Sequence, residues 1–190
     1  EAAKIAAGSC AIYVEQPNAF GLLDNGLLKL KEIIGTDTAL IVGVQPVSLG
    51  LVAPPGDYGA DIVVGEGQPF GIGPTAGGPI YGIFACTDAY IRQMPGRIVG
   101  KSVDEDGRDA YTLTLSTREQ HIRRSRATSN ICTNQGLMVT AATIFMSLLG
   151  PEGLKRVAVR SQARAAALAE AAVMVSGVEI AFPEPRFHEV

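Results

Sequence analysis

Residues 39–44 read Ala-Leu-Ile-Val-Gly-Val, with no polar side chain among them. A strand with one wet face alternates apolar and polar residues, so an unbroken apolar run implies cover on both faces and hence the interior of a parallel sheet. Cys10–Val14, Ala60–Val64 and Ile80–Cys86 read as further strands. Between the first two, Leu22–Ile34 has helical spacing: Leu23, Leu27, Leu30 and Ile34 fall on one face, Lys29, Lys31 and Glu32 fall elsewhere, and Gly35 ends the run. Strands alternating with helices predict an α/β fold, a mostly parallel sheet with helices on both faces.

The remaining segments extend this plan. Val47–Val52 predicts a helical turn and Asp88–Gln93 a short helix. Residues 97–115 predict a β-hairpin turning at Asp104-Glu105-Asp106-Gly107. A helix is expected from about Thr128 to Leu149, a break at Gly150-Pro151, a second helix over Glu152–Val175 and a strand over Val178–Phe182. The first residues, Glu1–Ala7, read as the last turns of a helix, and Phe182–Val190 closes no unit, so a fragment of a longer polypeptide is expected.

Composition narrows the function classes. With 47% apolar and 18% charged residues the chain reads as globular, and a net charge of −3 gives no general field for nucleic acid or an anionic membrane. Cys10, Cys86 and Cys132 are far apart, as expected of buried reduced thiols in a cytoplasmic protein. His121 and His188 are also distant, so no metal site is expected. The apolar run Gly136–Leu149 is shorter than the ~20 residues a bilayer crossing needs.

Chemistry is most plausible after the strand at Ala60–Val64. Residues 59–79 hold seven glycines and three prolines, a density that forces backbone conformations most side chains cannot follow. Ordinary phosphate loops are excluded by spacing. Gly65-Glu66-Gly67 lacks the third glycine of a dinucleotide motif, and Gly100-Lys101-Ser102 has Pro95 where a Walker loop needs its first glycine. Asp61 and Glu66 are placed at the carboxyl end of the strand, where open α/β sheets bind ligands, although Glu66 equally suits capping of loop N–H groups. Asn18 and Phe20, in Gln16-Pro17-Asn18-Ala19-Phe20-Gly21, follow another strand end and suit either a pocket wall or a plain turn.

Three readings stay open for Arg118, Arg123, Arg124 and Arg126: a solvated charge run, anion recognition through the guanidinium fork, and nucleic-acid binding, the last disfavoured by 6% aromatics and the acidic total. His121 suits an acid-base or a structural role. Thr128-Ser129-Asn130 are helix-opening residue types, which suits capping or an anion at the free N–H groups. Lys4, Lys29, Lys31, Lys101 and Lys155 all have charged or polar neighbours in sequence, and none suggests the desolvated pocket that an amine nucleophile needs.

The segment Gly59–Pro79 resembles the lysine-bearing segment of aspartate-aminotransferase-type (fold type I) pyridoxal-phosphate enzymes, and among them the P proteins of the glycine cleavage system. Three more runs carry the same likeness: Val14–Gly21, Arg92–Gly100 and Thr117–Gln135. In catalytic P proteins the strand leads into Asn-Leu-His-Lys. Here the lysine slot falls at Pro69, with Gln68 in the histidine position, and proline has no amine to bond the cofactor's aldehyde. The closer resemblance is to the first subunit of split P proteins, of which only the second keeps the lysine.

The resemblance implies the C-terminal part of a fold type I large domain over residues 1–150, with the glycine loop at 65–79 and the hairpin at 97–115, and a linking helix with the start of a small α+β domain over 151–190. It implies no catalytic residue in this chain and pyridoxal phosphate held by a lysine-bearing second subunit. Thr128, Ser129 and Asn130 would reach that partner's cofactor phosphate, and Asn18, Phe20, Glu66, Gln68, Arg118 and His121 would form pocket wall. Glycine and the lipoyl H protein are the implied substrate and second partner, in a heterotetramer. The alternatives are a purely structural subunit and an independent fold type I enzyme with its lysine elsewhere.

Overall fold

The computed structural model describes residues 2–129 and 135–190. The chain divides into two compact units, one of Glu1–Ala85 with Leu137–Val190 and one of Cys86–Gly136.

The first unit is built on the apolar runs. Helix α1 (Ala2–Ala6) precedes β1 (Ala11–Gln16), α2 (Leu30–Ile34), β2 (Ala39–Val44), β3 (Ile62–Glu66) and β4 (Gly82–Cys86), and the sheet order is β1-β2-β3-β4. Strands β1, β2 and β3 pair in parallel, with Glu15 opposite Gly43 and Gly43 opposite Val64. Leu40 and Val42 of β2 are fully buried. Leu27, Leu30 and Ile34 cluster with them and with Val44, Ala60 and Ala6, and Ile12, Val14, Tyr58 and Val63 complete the packing.

The amino edge of this sheet is tied by polar bonds. Lys31 Nζ donates to Asp61 Oδ2 at 2.7 Å and to the Thr38 carbonyl at 2.9 Å, while the Leu40 N–H donates to the same Asp61 oxygen at 2.7 Å. Asp61 therefore precedes β3 at its amino end, and the placement beside Glu66 at the carboxyl end is corrected. The run Gly-Ala-Asp enters the strand without punctuation, and the tertiary partners Lys31 and Leu40 decide where the strand begins.

The helix expected over Leu22–Ile34 is shorter. Asp24 accepts from the Gly26 N–H at 2.7 Å and opens a 3-10 turn, Asn25–Lys29, before α2. Leu23 is taken by the tail instead, its N–H donating to the Pro185 carbonyl at 2.7 Å, and Leu22 bridges Arg186. The strand expected at Val178–Phe182 is irregular, because that bridge is all the pairing the tail makes among the described residues.

The long helix α4 runs Gly136–Ala172, with Gly150 in a non-helical conformation (φ 62°, ψ 179°) ahead of Pro151. Its expected start at Thr128 is corrected, since Thr128 and Ser129 are outside any helix and the helix opens at Gly136, next to the first leucine of the apolar run. By length and composition α4 is apolar enough to cross a bilayer. Its apolar half ends at the kink, and Glu152, Lys155 and Arg156 follow directly. Residues 136–149 rise roughly 21 Å at 1.5 Å per residue, short of a ~30 Å hydrocarbon layer.

The second unit holds the hairpin of β5 (Ile98–Val103) and β6 (Asp109–Thr114), paired antiparallel from Ile98–Thr114 to Val103–Asp109. Asp104 Oδ1 accepts from the Asp106 and Arg108 N–H groups, both at 2.9 Å, which shapes the turn. The short helix α3 (Gln120–Arg123) follows.

Candidate functional site

The carboxyl edge of β1–β3 opens into a cleft of about 490 Å³. Strand periodicity of two puts Tyr13 and Glu15 on one face of β1, and the register brings Gly43 of β2 opposite Glu15. A Cβ at Gly43 would overlap the Tyr13 hydroxyl, so the glycine lets this pair lie across the sheet end. There the Tyr13 hydroxyl donates to Glu15 Oε1 at 2.8 Å. Burial raises the Tyr13 phenol above its ordinary value, and the bond to Glu15 and its negative charge raise it further.

Glu66, the last residue of β3, turns the chain into the glycine loop. Its Oε1 accepts from the Gln68 N–H at 3.0 Å. The Gly67 N–H donates to the Tyr81 carbonyl at 2.8 Å, and Gly67 lies so flat on the Tyr81 ring that a Cβ would land on the ring atoms. Tyr81 is buried, and its phenol is pushed up by burial and then by the charge of Glu66. Pro69 closes this side of the cleft and also lines an apolar cavity of about 280 Å³ with Phe70, Phe145 and Leu154.

The cleft brings together Asn18, Glu66 and Pro69 from the residues singled out in sequence. Asn18 Oδ1 accepts from the Phe20 and Leu22 N–H groups at 2.9 and 3.1 Å, the work of a turn-forming residue. Phe20 faces an adjoining apolar cavity of about 600 Å³ and packs against Phe182 with ring centroids 5.0 Å apart. Gln68 spends its amide N–H on the Ile72 carbonyl.

Arg118, His121, Thr128 and Ser129 belong to the second unit. Arg118 is buried; its guanidinium donates to the Met94 and Gly96 carbonyls and lies 3.5 Å from Glu119. His121 is exposed on α3. Asn130 lies outside the described residues.

Of the polar wall residues, Tyr13, Glu15, Gln45 and Glu189 escaped the sequence reading. Tyr13 and Glu15 carry a usable signal, alternating polar positions near the carboxyl end of an otherwise apolar strand. Glu189 carries none locally: it reaches the cleft because the tail folds back and its Cβ packs over Gly21.

Pyridoxal phosphate needs an amine for its aldehyde and donors or cations for its phosphate. Among the described residues the lining includes Glu15, Glu66 and Glu189 but no lysine, arginine or histidine. Lys31 is engaged at the amino edge, Lys101 pairs with Asp109 at 2.7 Å on the hairpin, and Lys155 borders the apolar cavity beyond Pro69. Lys4 and Lys29 are exposed. The residues of this cleft do not fit the group.

Comparison with known proteins gives one consistent result. The family described as glycine cleavage system P-protein matches residues 2–190. A probable glycine dehydrogenase (decarboxylating) subunit 1 of Alcanivorax borkumensis is 53% identical over 184 residues, covering 95% of this chain and 40% of the relative. Proteins of the same description from Nitrosospira multiformis and Coxiella burnetii are 52% and 50% identical, covering 94% and 98% of this chain and 40% and 43% of theirs. A crystal structure of glycine decarboxylase (P-protein) of the glycine cleavage system, in inhibitor-bound form, superposes with a TM-score of 0.87 at 42% identity, over 93% of this chain and 40% of that one. The chain thus spans about two fifths of the length of these relatives, has their α/β fold, and belongs to the glycine cleavage system P-protein family.

Proposed function

We propose that this chain works in glycine decarboxylation as part of the lysine-less half of a two-part P protein. The observation that carries the reading is Pro69: it occupies the loop after β3, at the cleft, where the family's lysine is expected. An imino acid offers no primary amine, and no other residue of the cleft wall supplies one. Pyridoxal phosphate, when bound to the lysine-bearing subunit, supplies the electron sink for loss of CO2 from glycine. The lipoyl H protein receives the remaining aminomethyl group, in a cytoplasmic heterotetramer. Residues of this chain contribute shape and hydrogen bonds. Gly43 and Gly67 allow close packing at the sheet end, and Glu66 fixes the loop entry through the Gln68 N–H.

The reading retains a large-domain role for residues 1–150 and a linking role for 151–190, and it keeps Thr128 and Ser129 as candidates to reach the partner's phosphate. The test is reconstitution. The full-length polypeptide carrying this chain is assayed for glycine-dependent CO2 exchange alone, with a lysine-bearing P-protein subunit, and with that subunit alone as control. Activity only in the mixture supports the reading. Activity of this polypeptide by itself refutes it.

A further inference from the structure

The missing lysine is not the sole obstacle to cofactor binding in this cleft. We infer that its wall rejects the phosphorylated aldehyde as an anion, so that restoring an amine at position 69 does not by itself restore binding. The inference rests on the reading above, that this chain is the lysine-less half, and adds an electrostatic reason for it.

Glu15, Glu66 and Glu189 enter the cleft from three separate parts of the chain: the end of β1, the end of β3 and the tail. None of the three is in an ion pair among the described residues. Glu15 accepts from the Tyr13 hydroxyl and Glu66 from the Gln68 N–H, so both carboxylates are held in place as acceptors. Burial is the largest cause of the raised Tyr13 and Tyr81 phenols, and Glu15 and Glu66 each add to it, as a second negative charge beside a carboxylate is disfavoured.

Some donors near this charge are committed elsewhere, while the Asn18 and Gln45 side-chain amides line the cleft as neutral donors. The Gln68 amide donates to the Ile72 carbonyl, and the Phe20 and Leu22 N–H groups donate to Asn18. A phosphate dianion entering here meets like charge, and among the described residues the lining offers no guanidinium or ammonium to receive it. The misfit is a property of the wall, built by β1, β3 and the tail, and it survives a change confined to the glycine loop.

The experiment uses the full-length polypeptide in four forms: wild type, Pro69→Lys, Glu15→Gln/Glu66→Gln, and Pro69→Lys combined with both glutamate substitutions. Each is titrated with pyridoxal 5′-phosphate and with unphosphorylated pyridoxal. Binding is followed by absorbance and by borohydride fixation with peptide mapping, and circular dichroism checks the fold. Pro69→Lys alone is expected to favour pyridoxal over the phosphate ester. Adding the two glutamine substitutions should improve the phosphate ester by about tenfold or more and pyridoxal by much less, since two unit charges several ångströms away are removed.

Equal affinity of Pro69→Lys for the two ligands, unchanged by the glutamine substitutions, overturns the inference and leaves the functional reading standing. A stoichiometric fixed adduct on wild type at any of its own lysines overturns the functional reading itself. If Pro69→Lys does not fold, the Glu15→Gln/Glu66→Gln form decides. Its non-covalent affinity for the phosphate ester must rise relative to wild type, and no rise overturns the inference.

Discussion

The two ends of the parallel sheet handle charge in opposite ways. At the amino edge the Asp61 carboxylate is met by the Lys31 ammonium and the Leu40 N–H, each at 2.7 Å. At the carboxyl edge Glu15, Glu66 and Glu189 line a cleft with no cation in its wall among the described residues. One end is closed and serves stability. The other is open, held in shape by close glycine contacts, with charge that contributes little to holding the fold together. Open α/β sheets place ligands at the carboxyl end because the strands' connecting loops gather there. This chain keeps that geometry while carrying a wall unsuited to the family's cofactor.

The contrast can be broken by substitution. Asp61→Ala leaves Lys31 and the Leu40 N–H without their acceptor. Both side chains of the pair are about one fifth exposed, which reduces the loss from that of a fully buried pair to about 2–3 kcal/mol of unfolding free energy. Chemical denaturation measures it, and a loss below about 0.5 kcal/mol would erase the distinction between the edges.

Gly67→Ala should come next, at about 2 kcal/mol, because Tyr81 is buried and its ring cannot swing clear of a new methyl. The same measurement checks it. Glu15→Gln combined with Glu66→Gln should change stability by no more than about 0.5 kcal/mol, since these carboxylates have no ionic partners among the described residues. A large loss would mean that the carboxyl edge is tied by charge after all.

The smallest effect is a titration. The folded-state phenol of Tyr13 lies above its ordinary 10.0, so the unfolded chain loses that proton first and this tyrosine's contribution to stability declines as pH rises past 10.0. Burial is the largest cause and remains in Glu15→Gln. The substitution removes the carboxylate's charge, so Tyr13 should ionise at lower pH, though still above 10.0, when phenolate absorbance is followed.

Much of this architecture is legible in the sequence because burial on both faces requires a continuous apolar run: the one at Ala39–Val44 forms β2, and Ile62–Val64 of the run predicted at Ala60–Val64 pairs with it in β3. What failed depends on distant partners. Asp61 reads as part of a strand until Lys31, thirty residues away in sequence, claims it. Leu22 and Leu23 carry helical spacing, but the tail at Pro185 and Arg186 takes their backbone groups instead. Thr128 and Ser129 have cap chemistry, yet the helix opens at Gly136, beside the apolar face it presents. In the site, Pro69 was found through a resemblance and Glu66 from its strand end. Glu189 was invisible, because only the folded tail brings it to the cleft.

The central claim is that the cofactor's covalent attachment lies outside this chain, and borohydride trapping in the assembled complex tests it most directly. The complex of this polypeptide with its lysine-bearing partner is reduced in the presence of pyridoxal phosphate, digested and mapped lysine by lysine. The account predicts label on the partner subunit and none on Lys4, Lys29, Lys31, Lys101 or Lys155 of this chain. Stoichiometric label on any of those residues would contradict it.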